Sequence, residues 1–176
     1  MELGGVRARC EARMRALDLP EPFDAAAFCA LLAARRNRPI VLRPFRSPLG
    51  PCGLWVAAPD GDVIFYERDT SPLHQQHIVL HEASHLVCGH RPLSLPPSEL
   101  AELLFPDVHP DRVGRVLRRA VYSREEEWEA EILASLILEQ AVRSAPAAAP
   151  PRDALTARTL ARLEASLEAS PDGGQP

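Results

Sequence analysis

The chain has 176 residues, 46% apolar and 25% charged, which suits one ordinary folded domain that buries its core without disulfide staples. A net charge of −4 gives no general reason to expect nucleic acid as a partner. The local basic runs at Arg35, Arg36 and Arg38, and at Arg112, Arg115, Arg118 and Arg119, read as solvated faces.

In chain order, residues 2–17 are Arg-rich and helix-compatible, ending before the turn-forming DLPEP. Asp24 can cap a second helix, AAAFCALLAARR, which stops before Pro39 because the residue preceding a proline avoids helical dihedrals. The period then changes. IVLRPF, CGLWVAA and VIFYE are short runs rich in branched and aromatic residues, and PDGD (59–62) between the last two signals a hairpin. Pro44 and Pro48 make the first run an edge strand, or one that leaves the sheet early. Ser71-Pro72 opens a buried helix over about 73–90, ended by Gly89 and Pro92. RPLSLPP reads as a loop, followed by a short helix at 98–104 and a basic helix around 111–121. Ser123 and Glu126 form a capping box for a long helix to about Arg143. Residues 1–143 are thus expected as one domain with its core at about 38–143. A Pro/Ala linker (144–152), an amphipathic helix (153–169) and a disordered tail (170–176) follow.

No apolar run reaches the ~20 residues a bilayer span needs, and the N-terminus lacks a signal-peptide core. Cys10, Cys29, Cys52 and Cys88 are scattered without a CxxC pair, so reduced thiols in a cytoplasmic protein are expected, with Cys88 packed as a small hydrophobe.

The chemistry lies in HIVLHEASHLVCGH (77–90). His81 and His85 stand four apart and face the same way on a helix, so two imidazoles can hold one cation. Glu82, about 100° around the helix, is too far round to be a ligand but can take a proton from water beside the metal, the helical H-E-x-x-H arrangement of zinc peptidases. A catalytic zinc needs a third protein ligand, and SREEEWEAEILASLIL (123–138) is the best source. Glu127 and Glu131 share a face there. Glu131 interrupts an apolar run and is costly to bury unless a donor such as the free ring N–H of a ligand histidine meets it. On that model Glu127 ligates zinc and Glu131 steadies a histidine, with Glu131 and Glu129 left as alternative ligands. Three ligands on successive turns of one straight helix cannot converge, so His77 is assigned to hydrogen bonding or the cleft wall. His74, His90 and His109 are expected in solvent.

HEASHLVCGH followed by EWEAEILASLIL resembles the ImmA/IrrE family of zinc metallo-endopeptidases, with their HELGHLLxGH-like helix and later ExEAN/D-x-FA-xxLL helix. The strand–turn–strand lead-in also fits, and the resemblance covers roughly residues 38–140. It implies an α+β, mostly helical zincin-like domain with a small, about three-stranded sheet packed on the metal-binding helix. It further implies Zn2+ on His81, His85 and Glu127, with Glu82 as the base. Glu127 matches the ligand because related Glu-liganded zincins place it four residues before their supporting Asp. Ala83-Ser84 replaces the family's Leu-Gly, Glu131 its Asn or Asp, and Leu133 its Phe.

The resulting expectation is an endopeptidase in which Glu82 moves a proton from water to the leaving amine. Tyr122 or His109 would supply a donor to the developing oxyanion, and VIFYE (63–67) an edge for an extended substrate. The resemblance implies a regulatory protease acting on a protein substrate such as a helix-turn-helix repressor, while the charge and the lack of a long apolar run give no nucleic-acid or membrane partner. The alternative is a non-catalytic module of the same fold that binds such a partner without cutting it.

Overall fold

The computed structural model describes residues 3–47, 52–96, 98–99, 116 and 122–144. These fall in a compact unit spanning Met1–Ser144, while Ala145–Pro176 forms a second unit outside the described residues. The linker beyond Ser144, the amphipathic helix expected at 153–169 and the tail therefore lie outside them, and Ser144 itself ends a helix. So do most of the two helices expected at 98–104 and 111–121.

The fold is α+β. Among the described residues it contains helices α1 (Leu3–Arg15), α2 (Ala25–Arg36), α3 (Pro72–Cys88) and α4 (Arg124–Ser144). The strands are β1 (Ile40–Phe45), β2 (Gly53–Ala58), β3 (Gly61–Glu67) and β4 (Leu93–Ser94). None of these helices is long and apolar enough to cross a membrane.

Local chemistry sets the helix ends. Asp24 accepts the Ala27 N–H at 2.7 Å to start α2, and Asn37 closes it in the left-handed region at φ 49°. Ser71 accepts the His74 N–H at 3.2 Å, Pro72 occupies the first turn of α3, and Gly89 ends that helix at φ 77°. At α4 the capping box closes in both directions. The Ser123 N–H donates to Glu126 at 2.8 Å, and the Glu126 N–H donates to Ser123 Oγ at 3.2 Å.

The sheet order is β1-β3-β2-β4. β2 and β3 form the antiparallel hairpin around Pro59-Asp60, while β1 runs parallel to β3 and β4 parallel to β2. Pro44 lies on an edge strand, where its missing N–H costs no ladder bond. VIFYE does not. β3 is flanked by β1 and β2, so it offers no free edge to a substrate. The fourth strand comes from RPLSLPP, read above as a loop, where Leu93 and Ser94 pair with Val56 and Ala57.

Alternation along β2 and β3 buries both faces of the sheet. Trp55 and Ile64 face a core shared with Phe28, Leu80, Leu133 and Ile137 from the helices, while Leu54, Val56, Val63 and Phe65 pack with Phe45, Leu95 and Val116. α3 packs on β2 and β3, α4 packs on α3, and α1 packs on α4. The metal-motif helix is therefore held between the sheet and α4.

The first basic run is not simply solvated. Arg36 and Arg38 both reach the buried Asp62 carboxylate, at 2.7 and 3.2 Å, and Arg38 also donates to the carbonyls of Ala58 and Gly61. This clamp fastens the hairpin turn to the end of α2. We predict that Asp62→Ala lowers the unfolding free energy by about 2–3 kcal/mol, less than for a fully buried pair because the guanidiniums can re-solvate. Urea unfolding measures it, and a loss under about 0.5 kcal/mol would mean the clamp is incidental.

Candidate metal centre

His81 and His85 project from consecutive turns of α3, and Glu127 reaches them from the first turn of α4. One ligand atom from each lies within 4.8 Å of the other two. His81 Nε2 is 3.1 Å from His85 Nε2 and 3.2 Å from Glu127 Oε2, and His85 Nε2 is 3.9 Å from the same oxygen. A tetrahedral ion with donors at about 2.0–2.1 Å sets those donors about 3.3–3.4 Å apart, so the three edges fit a common cation. Burial, then the neighbouring His81 and His90, pushes His85 down to about 3, which keeps its ring in the neutral form that ligates.

The opposite edge of each ring is also engaged. Glu131 Oε2 lies 3.3 Å from His81 Nδ1 and 3.3 Å from His77 Nε2. Tyr122 stacks on the His85 ring, with centroids 3.7 Å apart and planes at 18°. Burial, then the Glu82 and Glu127 carboxylates, holds the Tyr122 phenol above its ordinary value, so it stays protonated. His109 lies outside the described residues.

Glu82 is buried against the sheet. Among the described residues its Oε2 has no hydrogen-bond partner, and the Trp55 backbone N–H is the one stabilising donor to the carboxylate. Burial first and Glu127 second push its carboxyl up to about 8. A buried carboxylate oxygen without a donor is costly unless water or a positive charge meets it. It therefore fits a cation site with water beside it. The approach is close because β2 has a glycine there: a Cβ on Gly53 would come within 2.7 Å of Glu82 Cγ and Oε1 and of Ile78 Cγ2.

A second group, Cys88, His90 and Glu129, could also hold a metal by proximity. Its chemistry is less suitable. Burial pushes the Cys88 thiol up to about 12, away from the thiolate a metal needs. Glu129 Oε1 already accepts from Arg9 Nε at 3.1 Å and Arg13 Nη1 at 2.6 Å, and Oε2 lies 3.1 Å from His90 Nε2. A divalent ion would have to displace or face two guanidiniums.

Two expectations require correction. The buried carboxylate on α4 is Glu129, at 7% exposure, whereas the Glu131 side chain is 51% exposed. α4 is covered by α1 as well as α3, and Glu129 points to the α1 side. His90 is not in solvent either: its side chain is 6% exposed, with Nδ1 2.8 Å from His85 Nδ1. A readable signal did exist. Gly89 in the left-handed region closes a Schellman turn, with the His90 N–H on the His85 carbonyl at 3.0 Å and the Gly89 N–H on Leu86 at 3.2 Å. That turn folds the residue after the glycine back onto the residue five before it. His74 is exposed, as expected, beside Thr70.

Gly53→Ala should force β2 or Glu82 to move, lowering stability by about 1–3 kcal/mol as other overpacked sites do. Any metal held by His81, His85 and Glu127 should be retained, because the three atoms nearest the added methyl belong to Glu82 and Ile78. Thermal unfolding and metal analysis of the variant check this, and unchanged stability would mean that the strand does not press on Glu82.

No protein-family model, curated protein or solved structure matches this chain, so the functional reading rests on the side chains themselves.

Proposed function

We propose that this chain is a zinc-dependent endopeptidase of the ImmA/IrrE type, with His81, His85 and Glu127 holding the metal and Glu82 acting as general base. The observation that carries the reading is the convergence of two histidine Nε2 atoms and a carboxylate oxygen beside a buried glutamate whose Oε2 lacks a hydrogen-bond partner among the described residues. Two imidazole nitrogens and a carboxylate oxygen brought together, with a second, buried carboxylate nearby, are mutually unfavourable without a cation. Donors of this mixed N/O type suit zinc. A bound zinc ion supplies Lewis acidity, which makes water acidic near neutral pH and polarises a carbonyl oxygen.

The chain's own residues do the rest. Glu82 takes a proton from the attacking water and returns it to the leaving amine, and its raised carboxyl matches that two-way role near neutral pH. Glu131 fixes His81 through Nδ1, and Tyr122 fixes the plane of His85 by stacking. β4 covers β2 only at Val56 and Ala57, so Gly53–Trp55, paired with β3 on one side, has no strand on the β4 side among the described residues. An extended peptide would lie along that stretch, with its scissile carbonyl near Glu82. The substrate we propose is a protein such as a helix-turn-helix repressor, cut in the cytoplasm.

Zinc stoichiometry and cleavage of a library of unstructured peptides, read by mass spectrometry, test the reading. Wild type should carry near-unit zinc and Glu127→Ala should lose it. Glu82→Gln should keep the zinc and lose cleavage by at least about 10²-fold. Wild-type protein free of zinc would end the metal reading, whereas full cleavage by Glu82→Gln would end the general-base role alone.

A further inference from the structure

Behind His85 runs a continuous chain of polar contacts that leaves α3, crosses to α4 and ends on α1. His85 Nδ1 is 2.8 Å from His90 Nδ1, His90 Nε2 is 3.1 Å from Glu129 Oε2, and Glu129 Oε1 takes both Arg9 and Arg13. His85 and His90 are both buried as side chains, and Glu129 nearly so. Contacts of this kind, shielded from water, have defined donors and acceptors rather than averaged ones.

Proton bookkeeping fixes the direction. Arg9 Nε at 3.1 Å and Arg13 Nη1 at 2.6 Å both donate to Glu129 Oε1, and two permanently charged guanidiniums on one oxygen keep the carboxylate ionised. An ionised carboxylate only accepts, so His90 must carry its proton on Nε2. A neutral His90 then has a lone pair on Nδ1 and can only accept there. The remaining proton of the 2.8 Å contact belongs to His85 Nδ1. His85 Nε2 is left with its lone pair directed at His81 and Glu127.

We propose that Glu129 and His90 are positioning residues that lock His85 in the tautomer protonated on Nδ1, turning its Nε2 lone pair to the metal position. Arg9 and Arg13 set the polarity of the chain from α1, since both hold the same oxygen, Oε1, and leave Oε2 for His90. The two histidines of the centre thus have different outer partners. His81 is held by Glu131, an exposed carboxylate, and His85 by a buried relay through a second histidine.

That asymmetry gives a specific test. In Glu129→Gln the arginines keep the amide oxygen at the Oε1 position, which presents the NH2 to His90. His90 Nε2 must then accept and its Nδ1 donate, so His85 becomes protonated on Nε2 and its ligating lone pair is lost. Long-range 15N–1H NMR of the metal-free protein, above the histidine titration range, reads each ring's tautomer directly. We expect His85 on Nδ1–H in wild type and on Nε2–H in Glu129→Gln. We also expect zinc affinity in that variant to fall about 10–100-fold, the usual effect of losing an outer partner of a ligand histidine.

Wild-type His85 protonated on Nε2 overturns the proposal even if no variant folds, and so does a folded Glu129→Gln variant with an unaltered His85 tautomer. The affinity arm rests on the zinc reading, but the tautomer arm does not. Wild-type protein with the expected tautomers but no zinc would therefore sink the metal assignment and leave the relay standing.

Discussion

Two imidazole edges 3.1 Å apart, with a carboxylate oxygen against one of them, cannot all present lone pairs to one another without a proton or a cation between them. Much of the surrounding structure serves to impose that arrangement. α3 is held against the sheet by Ile78, Val79, Leu80 and Ala83, which leaves it no freedom to rotate the histidines outward. α4 packs along the same helix through Leu133 and Ile137, bringing Glu127 to the histidines from a separate stretch of chain. Apolar burial thus supplies the free energy that brings polar groups into an unfavourable contact. A buried Leu or Ile contributes about 1.5–3 kcal/mol, so a handful of them outweighs several kcal/mol of local repulsion.

Glu82 belongs to the same design, though it faces the other way. It leaves α3 toward β2, where the missing side chain of Gly53 gives it room and the Trp55 N–H gives it one donor. One donor is too few to satisfy a buried carboxylate and too many to let it behave as a plain acid in oil. A group poised between its charged and neutral forms is what a proton carrier needs. Histidines that are to hold a cation need the opposite property, a single fixed protonation state, and burial plus neighbouring rings gives His85 that state. One helix therefore carries adjacent groups with contrary demands, separated by the 100° step between Glu82 and His81.

Much of this was legible in the residues because it is governed by short-range chemistry. Asp24, Ser71-Pro72 and the Ser123–Glu126 box place three helix starts where the chain has them. PDGD turns between two strands, and the prolines near β1 put it at an edge. What could not be read depends on which face meets which neighbour. α1 buries little beyond Val6 and Cys10, so its pattern gives no hint that it packs on α4. Without α1, Glu129 looks like one more exposed acidic residue and Glu131 like the buried one. The two-residue strand β4 is equally silent, since Leu93 and Ser94 have neither the length nor the composition of a strand and pair only because β2 is there to receive them.

His90 shows how a backbone motif can carry chemistry. Gly89 ends α3 in a turn that closes only if the next residue folds back over the last helical turn. In most helices that returning residue is apolar and simply covers the helix end. Here it is an imidazole, and the residue it covers is His85, so the same turn that terminates the helix delivers a hydrogen-bond partner to the inner edge of the ring. No separate loop or insertion is needed to place it. Its far edge then meets Glu129, whose charge is balanced by two arginines from the opposite end of the unit's sequence. A helix stop, a buried ion cluster and the packing of α1 are consequently one connected structure. A disturbance of α1 that released Glu129 would reach His85 through two hydrogen bonds, without any movement of α3 itself.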